Sequence, residues 1–334
     1  MEVQVIQDLP KEFDRVEFYH QSEYLSYEAQ RIGGEPFYFL ITGAESEVFV
    51  LPLIKRSIPN TTYFDLTSPY GYCGYLSSSN DNVFINEAFC SFDNYCRENR
   101  IVSSFIRLNP IYNVSMLNET ASLEHYIHGK VVTVPLKDDY SDILKNYSSN
   151  HKRNIKKLLK QGFTVEEANW DSIDEFISLY NETMTRLDAS GFYFFPIEYY
   201  QMLFELGFDL KLLFVKSQNN EIISTALFLS NGEVIQYHLG GTSEQFIKLS
   251  PNKLIFDYII KLYSTTVETA RWFNLGGGFG GSEDSLFRFK KGFAQSFHRF
   301  STVRMVHLKD QYDNLSKSKI EAAEQDNFFP AYRK

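Results

Sequence analysis

The stretch Leu275–Phe293, LGGGFGGSEDSLFRFKKGF, decides how the second half of this chain is read. Five of the six residues 276–281 are glycine, the acids Glu283 and Asp284 follow, and Phe287 and Phe289 then alternate with Arg288 and Lys290 before Lys291. Glycines at a strand end let the backbone approach a ligand closely and turn its amides toward an anion. The spacing is neither GxxxxGK[ST] nor a GxGxxG inside a βαβ unit, which argues against a nucleotide triphosphatase or a dinucleotide enzyme. The acids fit the start of a short helix over 285–292. Alternation of aromatic and basic residues predicts that one pair faces a core while a helix end aims Lys290 into a site, with Lys291 in solvent.

Upstream, the pattern is rich in strands. KLLFVKS from Lys211, IISTALFLS from Ile222 and EVIQYHLGG from Glu233 read as three strands, with Asn231-Gly232 as a hairpin turn. Two helices precede them, one capped by Asp171 and one between Pro196 and Gly207, behind a strand at Phe163. A helix from Pro251 to about Val267, a strand from Arg271 and a last strand from His298 follow. Three antiparallel strands and then a strand-helix-strand crossover predict a mixed sheet with helices on both faces. The first half repeats this order, with strands at Pro36, Glu47 and Thr62, a helix over 81–98 and a strand from Ser103, so an internal duplication is expected. The polar segment 137–150 is the boundary, giving domains over 1–140 and 141–311. The tail 312–334, ending in FFPAYRK, is expected to pack back on the first domain.

Composition narrows the class. The chain has 334 residues, a formal charge of −9 and three cysteines without a CxxC pair. An acidic body argues against DNA binding and confines any phosphate site to a local basic patch. Nothing resembles an export signal or a membrane span, so a soluble cytoplasmic protein with reduced thiols is expected. No ligand-type residues recur at metal-binding spacing, and no GxSxG occurs.

The basic patch is the run SSNHKRNIKKLLKQG from Ser148, read as a helix ended by Gly162. Ile155, Leu158 and Leu159 are expected to face inward, with Lys152, Lys156 and Lys160 in a row and Arg153 and Lys157 beside it. It is either a solvated face or a phosphate-binding rim. His238, beside Tyr237 in QYHLGGT, is either a catalytic partner or a core histidine satisfied by its neighbours.

These motifs in this order, NHKRNIKKLLKQG, YNETMTRLDASGFYFFPIEYY, QYHLGGT and LGGGFGGSEDSLFRFKKGF, resemble the Fem-type peptidoglycan-bridge aminoacyltransferases and their relatives in the GNAT superfamily. SPYGYCGYL, with Tyr70 and Tyr72, resembles the matching loop of the first domain. The resemblance spans nearly the whole chain and implies two tandem GNAT-like domains, the second carrying the site. It implies an acyltransferase in which an acceptor amine attacks a thioester or ester carbonyl without a covalent enzyme intermediate. Lys290 matches the lysine of the family's phenylalanine-lysine pair near the reacting carbonyl, and Tyr237 a site tyrosine on the splayed strand. Arg186 matches an arginine that contacts acceptor phosphates. Gly276, Gly277 and Asp284 would line the cleft, with Lys152 and Arg153 at its rim.

Two departures qualify the match. Asn109 stands where some members carry an aspartate before the proline, and neither half has the Arg/Gln-x-x-Gly-x-Gly/Ala pyrophosphate loop. The donor therefore stays open between acyl-CoA and aminoacyl-tRNA, a co-substrate and not a tightly bound cofactor. The expected acceptor is an amine on a phosphate-bearing cell-envelope precursor, such as a nucleotide sugar or a peptidoglycan precursor. The competing reading is a degenerate tandem GNAT that binds a ligand without turnover.

Overall fold

The computed structural model describes residues 1–11, 13, 15–114, 117–325 and 327–334. The chain divides into two units, Met1–His128 with Arg299–Lys334, and Gly129–His298.

The first unit begins with β1 (Glu2–Ile6), α1 (Ser22–Ile32), β2 (Glu35–Thr42) and β3 (Val48–Ser57). It continues through β4 (Phe64–Thr67), β5 (Leu76–Ser77), α2 (Asn82–Glu98) and β6 (Ile101–Arg107). β7 (Leu123–Pro135) leads out of it. Its sheet runs β1-β2-β3-β4-β6, antiparallel except for the β4–β6 pair, which the α2 crossover makes parallel. Strand alternation fixes the two cores. Phe37, Phe39 and Ile41 point to the α2 side with Phe84, Phe89 and Phe92, while Tyr38 packs with Leu25 and Ala29 of α1.

The second unit repeats this plan. After β7 come α3 (Tyr140–Lys145), α4 (Ser149–Lys160), β8 (Thr164–Glu167), α5 (Ile173–Arg186) and α6 (Ile197–Glu205). The meander is β9 (Asp209–Lys216), β10 (Ile222–Ser230) and β11 (Val234–Thr242). The crossover follows as α7 (Asn252–Thr266) to β12 (Trp272–Gly276), then α8 (Ser285–Lys291). β13 (Ser296–Val306) returns to the first unit, where α9 (Lys309–Ser316) and α10 (Ile320–Gln325) follow. The order of this sheet is β7-β12-β11-β10-β9-β8, with β11–β12 its parallel pair. The last strand beside β6 is residues 302–306 of β13, and the last strand beside β12 is residues 132–135 of β7.

One core cluster of the second unit joins α3, α4, α7 and α8 to the sheet and contains no side chain of α5 or α6. The aromatic residues of α5 and α6 pack among themselves, as in Phe176 against Tyr200 with ring centroids 5.7 Å apart. On α4 the inward face is His151, Ile155 and Leu158, and Leu159, expected inside, is exposed. The face follows i, i+4, i+7, and Leu159 lies about 100° further round. Within the first unit, Arg333 near the chain end donates to Asp65 at 2.8 Å, and Tyr332 bonds Ser103 at 2.6 Å.

Candidate active site

The site forms where β11 and β12 part. Their parallel pairing covers only Val234–Trp272, Ile235–Phe273 and Gln236–Asn274. Immediately beyond, β11 carries a bulge. Leu227 pairs with Leu239 and Phe228 with Tyr237, so His238 is the extra residue. β12 ends at Gly276, whose positive φ of 76° turns the chain away. A Cβ on Gly278 would strike Ser282 O, so the glycine loop can close in this shape only without a side chain there. Across the fork, Asn274 Nδ2 donates to Gln236 Oε1 at 3.0 Å, and Asn274 Oδ1 accepts from Gly276 N–H at 2.9 Å.

α8 delivers Lys290 into this fork. Asp284 caps it, Oδ1 accepting from Phe287 N–H at 2.9 Å, while Oδ2 accepts from Phe279 N–H at 3.0 Å and ties down the glycine loop. The buried residues of α8 are Phe287 and Lys290, three apart on one face. That corrects the expected alternation, which belongs to a strand and not to a helix. Lys290 Nζ donates to Gly277 O at 2.7 Å and lies 5.7 Å from the centre of the Tyr237 ring. It is 6% exposed. Burial pushes its pKa down to about 7, opposed by the charge of Asp284. Tyr237 packs edge-on against Phe256 at 4.9 Å, and burial raises its phenol to about 12, so it stays protonated.

Lys290, Tyr237, Gly276, Gly277 and Asp284 thus come together. His238 belongs elsewhere: Nε2 meets Tyr199 Oη of α6 at 2.6 Å, and burial holds the ring neutral with a pKa of about 3. Arg186, at the end of α5, donates to Thr242 O at 3.1 Å and to Thr183 Oγ1 at 3.3 Å. On α4, Lys152 Nζ donates to Lys145 O at 2.8 Å and Arg153 is exposed. Tyr70, Tyr72 and Asn109 are in the first unit. There Arg107 lies 5.9 Å from the Tyr70 ring, Tyr72 packs edge-on with Phe300 at 5.3 Å, and Asn109 Nδ2 donates to Glu17 Oε2 at 2.7 Å and Tyr72 O at 3.0 Å.

A second feature escaped the reading of the sequence. Ser148, Asn150, His151, Ser250, Lys253 and Arg288 are among the residues lining a cavity of about 480 Å³. Lys253 is 6% exposed, donates to Asn150 Oδ1 at 3.0 Å, and has a pKa lowered by burial. Lys291, expected in solvent, is half-buried, lies 5.6 Å from the Phe297 ring and also lines the cavity. A lone lysine in the first turn of an apolar helix gives no periodic signal, so only the fold reveals this basic pocket. Among the described residues, no three His, Cys, Asp or Glu side chains could together hold a metal ion, and no helix is long and apolar enough to cross a membrane.

Residues 145–291 match the family model described as an acetyltransferase (GNAT) domain. No curated protein matches the sequence. The fold is similar to that of FemX, with a TM-score of 0.70 at 14% identity over 94% of this chain and 99% of that one. It is also similar to the C-terminal domain of a putative lysylphosphatidylglycerol synthetase from Agrobacterium fabrum, with a TM-score of 0.51 at 12% identity over 84% and 86% of the two chains. A tandem GNAT protein from the clavulanic acid biosynthesis pathway gives a TM-score of 0.50 at 6% identity over 92% and 99%. At such identities the likeness concerns the fold. Residues 145–291 thus match a GNAT acetyltransferase domain, and the chain that carries them has a mixed α/β fold similar to that of FemX and the tandem GNAT protein.

Proposed function

We propose that this chain is an acyltransferase that moves an acyl or aminoacyl group to an amine of a phosphate-bearing cell-envelope precursor, a nucleotide sugar or a peptidoglycan precursor. The observation that carries the reading is Lys290, a buried lysine held by one backbone carbonyl at the fork of two strands, with a pKa near neutrality. The acceptor nitrogen attacks the donor carbonyl carbon, a C–N bond forms, and the C–S or C–O bond to the leaving group breaks. The Lys290 ammonium meets the negative charge that grows on the carbonyl oxygen, its low pKa lets it pass a proton to the leaving group, and the neutral amine it becomes takes up the proton shed by the acceptor nitrogen.

The cavity lined by Lys253, Arg288 and Lys291 suits phosphates of the donor, whether acyl-CoA or aminoacyl-tRNA. Arg186 suits a phosphate of the acceptor. The likeness to FemX and to the lysylphosphatidylglycerol synthetase domain supports the cell-envelope setting. Asn109, in the place of the family's aspartate, favours a second reading as a ligand-binding module. The test is release of free thiol from acyl-CoA, or deacylation of charged tRNA, when an amine acceptor is added. Saturable donor binding without either reaction would leave the binding module as the better reading.

A further inference from the structure

The basic run on α4 does more than face solvent. Its first turn is clasped to the last turn of α8. His151 Nε2 lies 2.9 Å from Phe289 O, and Nδ1 lies 3.0 Å from Ser148 Oγ. A carbonyl oxygen only accepts, so Nε2 carries the hydrogen, and in the neutral ring Nδ1 must accept from the Ser148 hydroxyl. Burial, with the Lys253 charge nearby, keeps the ring neutral by holding its pKa near 4. Ser148 N–H adds a second link to Gly292 O at 2.8 Å. The imidazole sits edge-on to Phe293, with centroids 4.6 Å apart, and a Cβ on Gly292 would strike it. The two clasped carbonyls, of Phe289 and Gly292, bracket Lys290 in sequence.

We propose that His151 is a positioning residue for Lys290: through the Phe289 carbonyl it fixes the last turn of α8 and so the place of the ammonium beside Gly277. The structural part stands on its own, whereas the effect on rate rests on the acyl-transfer reading. The ionisable groups facing Lys290 are Asp284 at the start of α8 and Tyr237 on β11. Lys253 of α7 faces His151, and Arg288 and Lys291 share its cavity. A change at His151 alone leaves each of these groups chemically intact.

The test labels the full-length protein with limiting acetic anhydride from neutral to alkaline pH and reads Lys290 acetylation by peptide mass spectrometry. In the parent, Lys290 should be half-reactive near pH 7. In His151→Ala the loosened turn admits water, and the midpoint should rise by about one pH unit or more. His151→Gln, whose amide N–H can reach the Phe289 carbonyl, should hold the parental midpoint. His151→Phe keeps the ring packing, lacks the N–H and should behave as His151→Ala, which keeps the test decisive if the alanine variant fails to fold. In turnover, His151→Phe should lower kcat about 10- to 100-fold with KM little changed. A parental midpoint in both the alanine and phenylalanine variants overturns the proposal. If the parent releases neither thiol from acyl-CoA nor free tRNA from charged tRNA, the acyl-transfer reading falls while the labelling result still decides the role of His151.

Discussion

Lys290 donates to the carbonyl oxygen of Gly277 across 2.7 Å, and among the described residues it forms no ion pair. Its neighbouring acid, Asp284, is engaged with the amides of Phe279 and Phe287. A buried ammonium with one neutral acceptor is a stability cost, of the kind retained at functional sites.

Lys290→Met should therefore melt higher than the parent at neutral pH. The lysine is protonated up to its ordinary 10.5 when unfolded but only to about 7 when folded. Between those values the unfolded chain binds more protons, so parental stability rises with pH and the advantage of the variant shrinks. Thermal melts across that range check both signs. A variant that melts lower at every pH would show that Lys290 is a structural contact.

Asp284→Ala removes the cap of α8 and the tether of the glycine loop, and should cost about 1 kcal/mol in denaturant titrations. Its charge also raises the Lys290 pKa. The labelling midpoint of Lys290 should therefore drop in Asp284→Ala and in Asp284→Asn. An unmoved midpoint would separate the two residues electrostatically.

The meander, both crossovers and the glycine loop were legible because strand alternation, an Asn-Gly turn and a Gly-rich strand end are local signals. Lys290 and Tyr237 came from motif resemblance, which their placement at one fork now accompanies. β7 was not read, because HYIHGK in its middle gives no alternation and its partner strands are distant in sequence. Leu159 was misassigned because an apolar residue beside Leu158 looks inward until α7 fixes which face of α4 is covered. His238 looked like a partner of Tyr237 because the two are adjacent, yet its imidazole is bonded to Tyr199 of α6. The pocket around Lys253 joins residues 148–151, 250–253 and 285–295, a juxtaposition that only tertiary packing creates.

Acid should destabilise the first unit through His20. Its ring is 1% exposed, and Nδ1 accepts from Glu17 N–H at 3.0 Å. Burial lowers its pKa from 6.5 to about 4. The contribution is complete above 6.5 and lost as pH falls toward 4, by up to about 3 kcal/mol. Denaturant titrations at neutral pH and at about pH 4.5, on the parent and His20→Gln, should show a smaller acid loss in the variant. Equal losses would contradict this origin.

Arg186→Ala should lower stability by about 1 kcal/mol, since Thr242 O loses the shorter of two side-chain donors and keeps Thr183 Oγ1 at 3.3 Å. If Arg186 also holds an acceptor phosphate, affinity should fall by roughly 1.5–3 kcal/mol in titration calorimetry. Lost stability with intact affinity would leave Arg186 a tie between α5 and β11.

Acyl transfer through Lys290 is tested most directly by steady-state turnover of Lys290→Met beside Lys261→Met, an exposed lysine of α7. A donor that acts as charge develops on the carbonyl oxygen is felt in kcat more than in KM. Lys290→Met should lose on the order of 100- to 1,000-fold in kcat with its fold intact, and Lys261→Met should match the parent. Equal turnover numbers for all three proteins would contradict the account.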